Sequence, residues 1–196
     1  MPYSAQHKEE TRDRILTSAF KLFSSRGYDN VSINEIMADA SLTRGGFYSH
    51  FENKSKLYHE AILYSAKNSK IAQGKPNELD NKAWMEELLN SYLHRDNIVN
   101  NPHCPLAALV TDVTVREPEV RKAYTKTFKG MANRIGSYVK SYSNCSDETI
   151  LATTAMIVGG LAIARAVSDV KLSNQILDNC RDEALRLLNI SGSKKE

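Results

Sequence analysis

Apolar residues in the first part of the chain recur at the spacing of an α-helix. They leave polar and charged residues on the opposite face, a pattern typical of an amphipathic helix. The apolar positions between residues 8 and 26 are Ile15, Leu16, Ala19, Phe20, Leu22 and Phe23. Gly27 follows directly, where helices commonly end with a residue in the left-handed conformation. The pattern predicts a first helix over 8–26 that ends at Gly27.

Two short helical segments follow, separated by a break of two or three residues. Ser32 and Glu35 have the spacing of a capping box, in which each side chain satisfies a backbone N–H of the first turn. The apolar stripe of this second helix consists of Ile33, Ile36, Met37 and Ala40. Thr43 can begin a third element that runs through Tyr48. The apolar side of that element is formed by Phe47 and Phe51. Two short helices joined by a tight turn predict a helix-turn-helix.

The remaining pattern predicts helices to the end of the chain. A longer helix begins at Lys54 and ends at the break formed by Gly74, Lys75 and Pro76. Further helices are predicted near 81–98, 105–115, 118–142, 147–168 and 174–190. No segment shows sustained alternation of apolar and polar residues. The predicted fold is all-α. Its domains are a three-helix helix-turn-helix domain over 1–53, a connecting helix over 54–74, a larger helical domain over 75–191 and a disordered tail over 192–196.

Gly45 and Gly46 stand inside the third helical segment, where each glycine costs about 1 kcal/mol relative to alanine. A recognition helix enters the major groove of DNA near its N-terminus, and a residue without a side chain lets the backbone approach a phosphate or a thymine methyl. Arg44 precedes the glycines, and its guanidinium can donate two hydrogen bonds to guanine. We therefore predict that the glycines permit close approach to DNA and that Arg44 reads a base.

Polar side chains around this segment can bind phosphate oxygens, and such contacts position a protein without specifying a sequence. The predicted phosphate contacts are Ser32, Thr43, Tyr48, His50 and Lys54. The alternative interpretation is an ordinary solvated face, with Tyr48 at the edge of the core. The capped helices around this window and the larger helical body after it favour DNA binding.

The segment from Ile15 to Ile62 combines the features of one known family. It reads ILTSAFKLFSSRGYDNVSINEIMADASLTRGGFYSHFENKSKLYHEAI, with Phe23, Gly27, Ile36, Ala40, Gly46-Phe47-Tyr48, Phe51, Lys54 and Leu57 at the matching positions. Residues 8–62 thus resemble the DNA-binding domain of the TetR family of bacterial transcriptional regulators. The resemblance implies a homodimer, an all-helical C-terminal domain with a ligand pocket, and repression that a ligand relieves. Ser41-Leu42 departs from the Gly-Val common in the family.

Composition restricts the class of protein. The chain has 196 residues and a formal net charge of +3, too small an excess to indicate nucleic-acid binding by itself. Its three cysteines are widely spaced, which argues against a disulfide framework or a structural zinc site and favours a reducing compartment. The N-terminus lacks an apolar signal core, and Arg165 interrupts the apolar run over 150–167. We expect a cytoplasmic protein that does not enter the membrane.

The last two predicted helices are the candidates for a dimer interface. Apolar residues cover most of the circumference near 147–168, at Ile150, Leu151, Thr154, Ile157, Val158 and Leu161. Gly159 and Gly160 would let another helix come close. The helix near 174–190 carries the stripe Ile176, Leu177, Cys180, Ala184, Leu187 and Leu188. Together the two helices could form a four-helix interface across a twofold axis, and the alternative is an intramolecular core.

No pattern in the sequence predicts an enzyme, a cofactor or a metal site. The expected partners are a double-stranded DNA operator, a second copy of the chain and a small-molecule effector of unspecified identity. The predicted ligand-binding residues supply apolar area and a few polar groups: Trp84, Met85, Tyr92, Cys104, Tyr124, Phe128 and Met131. Two rival classes are a DNA-binding protein without a ligand and an all-α enzyme with an incidental helix-turn-helix.

Cys104 raises the alternative of a thiol sensor. Pro105 suits the first position of a helix, so Cys104 falls at its N-cap, beside His103. Both the helix N-terminus and a neighbouring histidine lower a cysteine pKa. The segment Cys104–Leu109 also resembles a motif of one TetR subgroup, some of whose members respond to electrophiles or oxidants. The plain alternative is that Cys104 is a small buried hydrophobic residue, which Cys145 and Cys180 fit better.

Overall fold

The computed structural model describes residues 5–99 and 104–190. Within these ranges the chain forms α-helices and two 3-10 helices and no strand, which confirms the predicted all-α fold class. The α-helices are α1 (Ala5–Arg26), α2 (Ile33–Asp39), α3 (Lys54–Lys67), α4 (Lys70–Gln73), α5 (Asn81–Tyr92), α6 (Asp96–Val99), α7 (Pro105–Leu109), α8 (Pro118–Val139), α9 (Asp147–Ala166) and α10 (Val170–Leu187). The first 3-10 helix is Arg44–Ser49 and the second is Asp112–Val115. The predicted tail over 192–196 lies outside the described residues.

The described residues pack into two compact units. The N-terminal unit is drawn from residues 1–68 and 102–127, and the C-terminal unit from 69–101 and 128–196. The segment 102–127 belongs to the first unit because its apolar residues share a core with α1 and α3. Those residues are Leu109, Val113, Val120 and Ala123. The units group residues by packing, and the domain boundaries inferred from the sequence stay predictions.

The core of the N-terminal unit is formed by the apolar faces of α1, α2 and α3. Its fully buried side chains include Ile15, Ala19, Phe23, Ile36, Met37, Phe47, Leu57, Tyr58 and Ile62. Phe23 and Tyr58 meet edge to face, with ring centroids 4.8 Å apart. This aromatic contact joins α1 to α3 and fixes the frame on which the helix-turn-helix is built.

Local sequence signals set the helix ends in this unit as predicted. Ser32 accepts a hydrogen bond from the Glu35 N–H, and the Glu35 carboxylate accepts one from the Ser32 N–H, so the capping box is present. Gly27 ends α1 with φ +78°, a left-handed conformation that favours glycine. Ser41 also has a left-handed φ of 55°. The strain of this non-glycine turn explains why glycine would be favoured at position 41.

Several predicted helices are shorter in the structure. The predicted helix over 54–74 ends at Lys67 and continues only as the short α4. The prediction over 81–98 divides into α5 and α6, and the prediction over 105–115 divides into α7 and the second 3-10 helix. The break after α7 falls at the β-branched residues Val110 and Thr111, whose restricted side chains lower helix propensity.

In the C-terminal unit, α9 and α10 pack closely. A Cβ atom at Gly160 would lie 2.6 Å from the Cys180 Sγ, so this crossing of α9 and α10 requires glycine. The Ser173 hydroxyl donates to the Ala164 carbonyl at 2.7 Å and joins the same two helices. Gly159 has no atom within 4 Å of its Cβ position. Of these two glycines, only Gly160 therefore lies at the crossing of α9 and α10.

Of the described helices, α9 is long and apolar enough to cross a membrane by length and composition. However, 44% of the most apolar 18-residue stretch of α9 is buried inside the protein. Core helices of soluble proteins meet the same criterion, so this composition is weak evidence for a membrane span.

Candidate nucleic-acid interface

The first 3-10 helix presents the predicted base-reading residues. Phe47 is fully buried and anchors the helix, with its ring 5.9 Å from that of Phe51. Thr43 occupies the N-cap position as predicted, but its hydroxyl makes no capping hydrogen bond. The helix therefore depends on the packing of Phe47 rather than on intrinsic propensity, which the two glycines lower. This arrangement leaves the outward side of the element free to meet a partner.

The outward side carries Arg44, Gly45 and Tyr48, all of which are exposed. Tyr48 is 63% exposed although its ring packs edge to face on Phe47 at 5.1 Å. In a 3-10 helix residues three apart lie on the same side, so the Tyr48 side chain stands next to the bare backbone at Gly45. An aromatic hydroxyl and an open stretch of backbone thus meet on one surface, and the exposed Arg44 begins the same helix.

Neither glycine in this helix is required by the fold. Apart from the adjoining residues of its own helix, no atom of the described residues lies within 4 Å of a Cβ placed at Gly45, and a Cβ at Gly46 would meet only the Met37 Cε, at an ordinary 3.7 Å. Both glycines have backbone conformations outside the left-handed region, which Gly27 and Gly74 occupy. The absence of side chains at Gly45 and Gly46 is therefore explained neither by packing nor by backbone geometry.

Ser32 is exposed at the start of α2, but its hydroxyl is already engaged by Glu35 at 2.7 Å. Glu35 also pairs with Arg26, and this hydrogen bond, with those from Ser32, lowers the pKa of Glu35 to about 2. Arg26 thereby neutralises a carboxylate that would repel DNA. Ser32 stays a predicted phosphate contact through the helix N-terminus that it caps.

His50 and Lys54 are half-buried, unlike the exposed Arg44. The His50 carbonyl accepts a hydrogen bond from Arg12 at 2.6 Å, and among the described residues the buried Nδ1 of the His50 ring has no hydrogen-bond partner. Burial, followed by the charges of Lys8 and Arg12, lowers the pKa of His50 and favours the neutral imidazole.

The ammonium group of Lys54 lies 4.1 Å from the centroid of the Tyr28 ring and donates to the Tyr28 carbonyl. Burial lowers the pKa of Lys54. Both contacts direct the Lys54 ammonium toward Tyr28, in the loop between α1 and α2. The sequence did not indicate this partner, because Tyr28 and Lys54 are far apart along the chain. Lys54 stays a predicted phosphate contact, and it has this internal role as well.

The predicted ligand-binding residues are divided between the two compact units. Trp84 and Met85 are buried in the C-terminal unit, where Tyr92, Phe128 and Met131 are partly buried. Cys104 and Tyr124 belong to the N-terminal unit. The Tyr124 hydroxyl donates to the Leu106 carbonyl at 2.8 Å, which ties α8 to α7. Among the described residues, no hydrogen-bond acceptor reaches the buried Trp84 Nε1.

Cys104 is the N-cap residue of α7, and Pro105 follows at the first helical position, as the sequence predicted. Helix α7 has only five residues, fewer than the predicted 105–115, so the helix-dipole contribution to a reactive thiolate is smaller than expected. His103 lies outside the described residues. The three cysteines are thiols and are partly buried. Across residues 5–99 and 104–190, no three histidine, cysteine, aspartate or glutamate residues gather as metal ligands.

Comparisons with known proteins agree with this geometry. Residues 15–61 match the profile of the family described as bacterial regulatory proteins, tetR family. An uncharacterized HTH-type transcriptional regulator from the lacX 3'region of Lactococcus lactis is 24% identical over 191 residues, which cover 86% of this chain and 90% of that protein. The HTH-type transcriptional regulator AcrR of Shigella flexneri is 43% identical over 63 residues, 32% of this chain and 29% of that protein.

A solved structure shares the fold of nearly the whole chain. The crystal structure of the reduced form of E. coli NemR superposes with a TM-score of 0.73 at 17% identity, over 90% of this chain and 96% of that chain. At this identity the similarity concerns the fold alone. The match to AcrR spans less than a third of that protein, and the family profile likewise covers only the N-terminal helices. The similarity in sequence is thus strongest where the candidate interface lies.

Proposed function

We propose that this chain, a TetR-family transcriptional regulator, binds a palindromic DNA operator as a homodimer and represses transcription until a small molecule releases it. The observation that carries the proposal is the pair of glycines beside exposed Arg44 and Tyr48, since nothing in the described part of the chain requires them. A regulator of this kind acts in the cytoplasm. The test is to select DNA sites from a random-sequence library with the wild-type protein and then to footprint the selected site. The proposal expects twofold-related protection, with half-sites about 34 Å apart or a small multiple of that distance.

The outer face of α9 supports a homodimer. Leu151 and Ile163 are exposed there, and small residues between them leave a smooth surface. The exposed or half-exposed small residues are Ala152, Ala155, Gly159 and Ala162. Val170 and Leu172, at the start of α10, are exposed as well. A second copy of the chain suits this face, because an identical apolar helix would cover it across a twofold axis and Gly159 would admit close approach.

Substituting Arg44 by alanine is expected to relax base preference at one position of each half-site. The exposed guanidinium can bond guanine bidentately, which discriminates against other bases by about 1 to 3 kcal/mol. Binding to a panel of single-base variants of the selected site measures the effect. Arg121→Ala, which removes the same charge from an exposed position on α8, should lower affinity for all panel members alike or leave it unchanged. An unchanged base preference in Arg44→Ala would assign base reading to another residue.

The release by a small molecule rests on the helical C-terminal unit and on the buried, unpartnered Trp84 indole N–H. A neutral ligand with a hydrogen-bond acceptor suits this donor. Native mass spectrometry of the purified protein, followed by addition of the copurifying compound to the DNA complex, tests the proposal. A protein that carries no ligand and holds its operator under all added compounds would fit the ligand-independent class.

A second candidate function is thiol sensing through Cys104, favoured by its N-cap position before Pro105. If Cys104 senses electrophiles, an alkylating agent should release the wild-type protein from its operator at low stoichiometry. Cys104→Ser should bind DNA normally and stay bound under the same treatment. Cys145→Ser is the matched control and should be released like the wild type. Equal release of Cys104→Ser, or no modification of Cys104 in a peptide mass map at neutral pH, would leave a noncovalent ligand as the better explanation.

A further inference from the structure

A polar cluster joins the second 3-10 helix to the helix-turn-helix. The Asp112 carboxylate accepts a hydrogen bond from the Tyr58 hydroxyl at 2.6 Å and one from the Tyr28 N–H at 3.3 Å. Tyr28 lies in the turn between α1 and α2, and Tyr58 lies in the second turn of α3. One carboxylate therefore bonds both the segment that enters α2 and the helix that follows the base-reading element.

Arg116 completes the cluster at the other side of Asp112. Its side chain is only 11% exposed and binds the two Asp29 oxygens at 3.0 and 2.7 Å and Asp112 at 3.1 Å. The guanidinium also lies 4.5 Å from the centroid of the Tyr28 ring. A guanidinium is a rigid planar group that donates hydrogen bonds in fixed directions. These contacts therefore fix the orientation of the turn at Tyr28 and Asp29 as well as its distance from Arg116. We call Asp112 and Arg116 the 112–116 clamp.

The parts of the chain that the clamp holds are those that orient the DNA-reading residues. The turn at Tyr28 and Asp29 comes directly before Ser32, the N-cap of α2. The Tyr28 ring contacts the Tyr58 ring at 5.1 Å, and the Lys54 ammonium lies over it at the start of α3. The first 3-10 helix lies between α2 and α3 in the chain and contains two glycines, so its position depends on these flanking helices.

We propose that Asp112 and Arg116, which lie outside the helix-turn-helix in sequence, are positioning residues for DNA recognition, because they fix the turn before α2 and the start of α3. The proposal rests on the DNA-binding function proposed above. A partly buried ion pair is weak evidence for stability, because desolvation offsets much of its attraction, but its directional bonds can hold a geometry. Base readout requires such a geometry, since side chains must meet base edges within a fraction of an ångström.

The test compares specific with nonspecific DNA binding by full-length variants. The probes are a site selected from a random library by the wild-type protein and a scrambled duplex of the same length. Asp112→Ala is expected to weaken binding to the selected site by about tenfold, a size typical of coupling within polar networks. Binding to the scrambled duplex should change by less than about twofold. Electrostatics alone predicts the opposite sign for the selected site, because loss of a carboxylate makes the protein more basic.

Two variants separate positioning from charge and from stability. Asp112→Asn makes the same change in charge but keeps an oxygen that accepts from Tyr58, so it should recover most of the lost specific affinity. Tyr58→Phe removes only the hydroxyl. The double variant Tyr58→Phe, Asp112→Ala should bind no worse than Asp112→Ala, because Asp112→Ala already removes the bond that Tyr58→Phe breaks. Glu87→Ala, which breaks the exposed Lys70–Glu87 pair in the C-terminal unit, controls for net charge and should bind both duplexes like the wild type.

All affinities are measured well below the unfolding temperature of each variant, which circular dichroism determines. If Asp112→Ala does not fold, Tyr58→Phe still tests the proposal, because loss of its bond to Asp112 should lower the ratio of specific to nonspecific affinity. Equal ratios in the wild type and in all folded clamp variants would overturn it and leave the clamp a purely structural feature. A wild-type protein that selects no DNA site would instead refute the proposed function, so the two failures are distinguishable.

Discussion

Replacing Gly45 with leucine is expected to abolish binding to the operator while leaving the folded protein at least as stable. The Cβ position at Gly45 is open, and the backbone there is not left-handed, so leucine fits the isolated chain without strain. Leucine also raises helix propensity by nearly 1 kcal/mol relative to glycine. On DNA, the added side chain would stand between the backbone and the major groove. Affinity should fall to the nonspecific level, a loss of about a thousandfold or more.

The measurement is a titration of the selected DNA site, paired with thermal unfolding of the free protein. Gly130→Leu is the matched control, because Gly130 is exposed on α8 and also has no atom within 4 Å of its Cβ position. That variant should bind the site like the wild type and gain similar helix propensity. If Gly45→Leu keeps the wild-type affinity, the glycines do not serve close approach and the candidate interface is misplaced.

The local part of the site could be predicted from the sequence because its signals act within a few residues. Ser32 and Glu35 satisfy each other's backbone partners, and Gly27 ends α1 where its conformation is needed. Such signals are independent of the rest of the fold, so the order and type of elements through α3 followed from residues 8–62. The same reasoning placed Cys104 at the N-cap before Pro105.

The distant part of the site could not be predicted, because its partners are separated by long stretches of chain. Asp112 and Tyr58 are 54 positions apart, and Arg116 and Asp29 are 87 apart. No periodic pattern encodes such pairs, since Asp29, Asp112 and Arg116 each read as ordinary surface charges in the sequence. For the same reason the internal contact of Lys54 with Tyr28 was missed. Arg44 is exposed, and its role as a base reader stays a prediction.

Gly159 and Gly160 show the same limit within one dipeptide. The sequence indicates that a helix comes close to them, but it does not tell which helix. The structure assigns Gly160 to the crossing with α10 inside the chain and leaves Gly159 open. The open space at Gly159 and the exposed apolar residues beside it are seen in a single chain. We propose that a second copy of the chain covers this face. The assignment therefore calls for a direct test of association.

Ile163→Glu is expected to convert the proposed dimer into a monomer and to weaken operator binding by about a hundredfold or more, the avidity that linked half-sites provide. Ile163 is 55% exposed, so the free chain should keep its stability within about 0.5 kcal/mol. In a dimer across a twofold axis the substitution would enter the interface twice, and both carboxylates would lose water without gaining a partner. Light scattering coupled to gel filtration measures the mass, and a DNA titration measures the affinity.

Asn133→Glu is the matched control for this last variant, because it adds the same charge at an exposed position on α8 and should remain a dimer. The two variants carry equal net charge, so a general repulsion from DNA would affect both alike. Selective loss of mass and of operator affinity in Ile163→Glu would place the interface on α9. A dimeric Ile163→Glu with wild-type affinity would move the interface away from this face, whereas a wild-type monomer would contradict the homodimer itself.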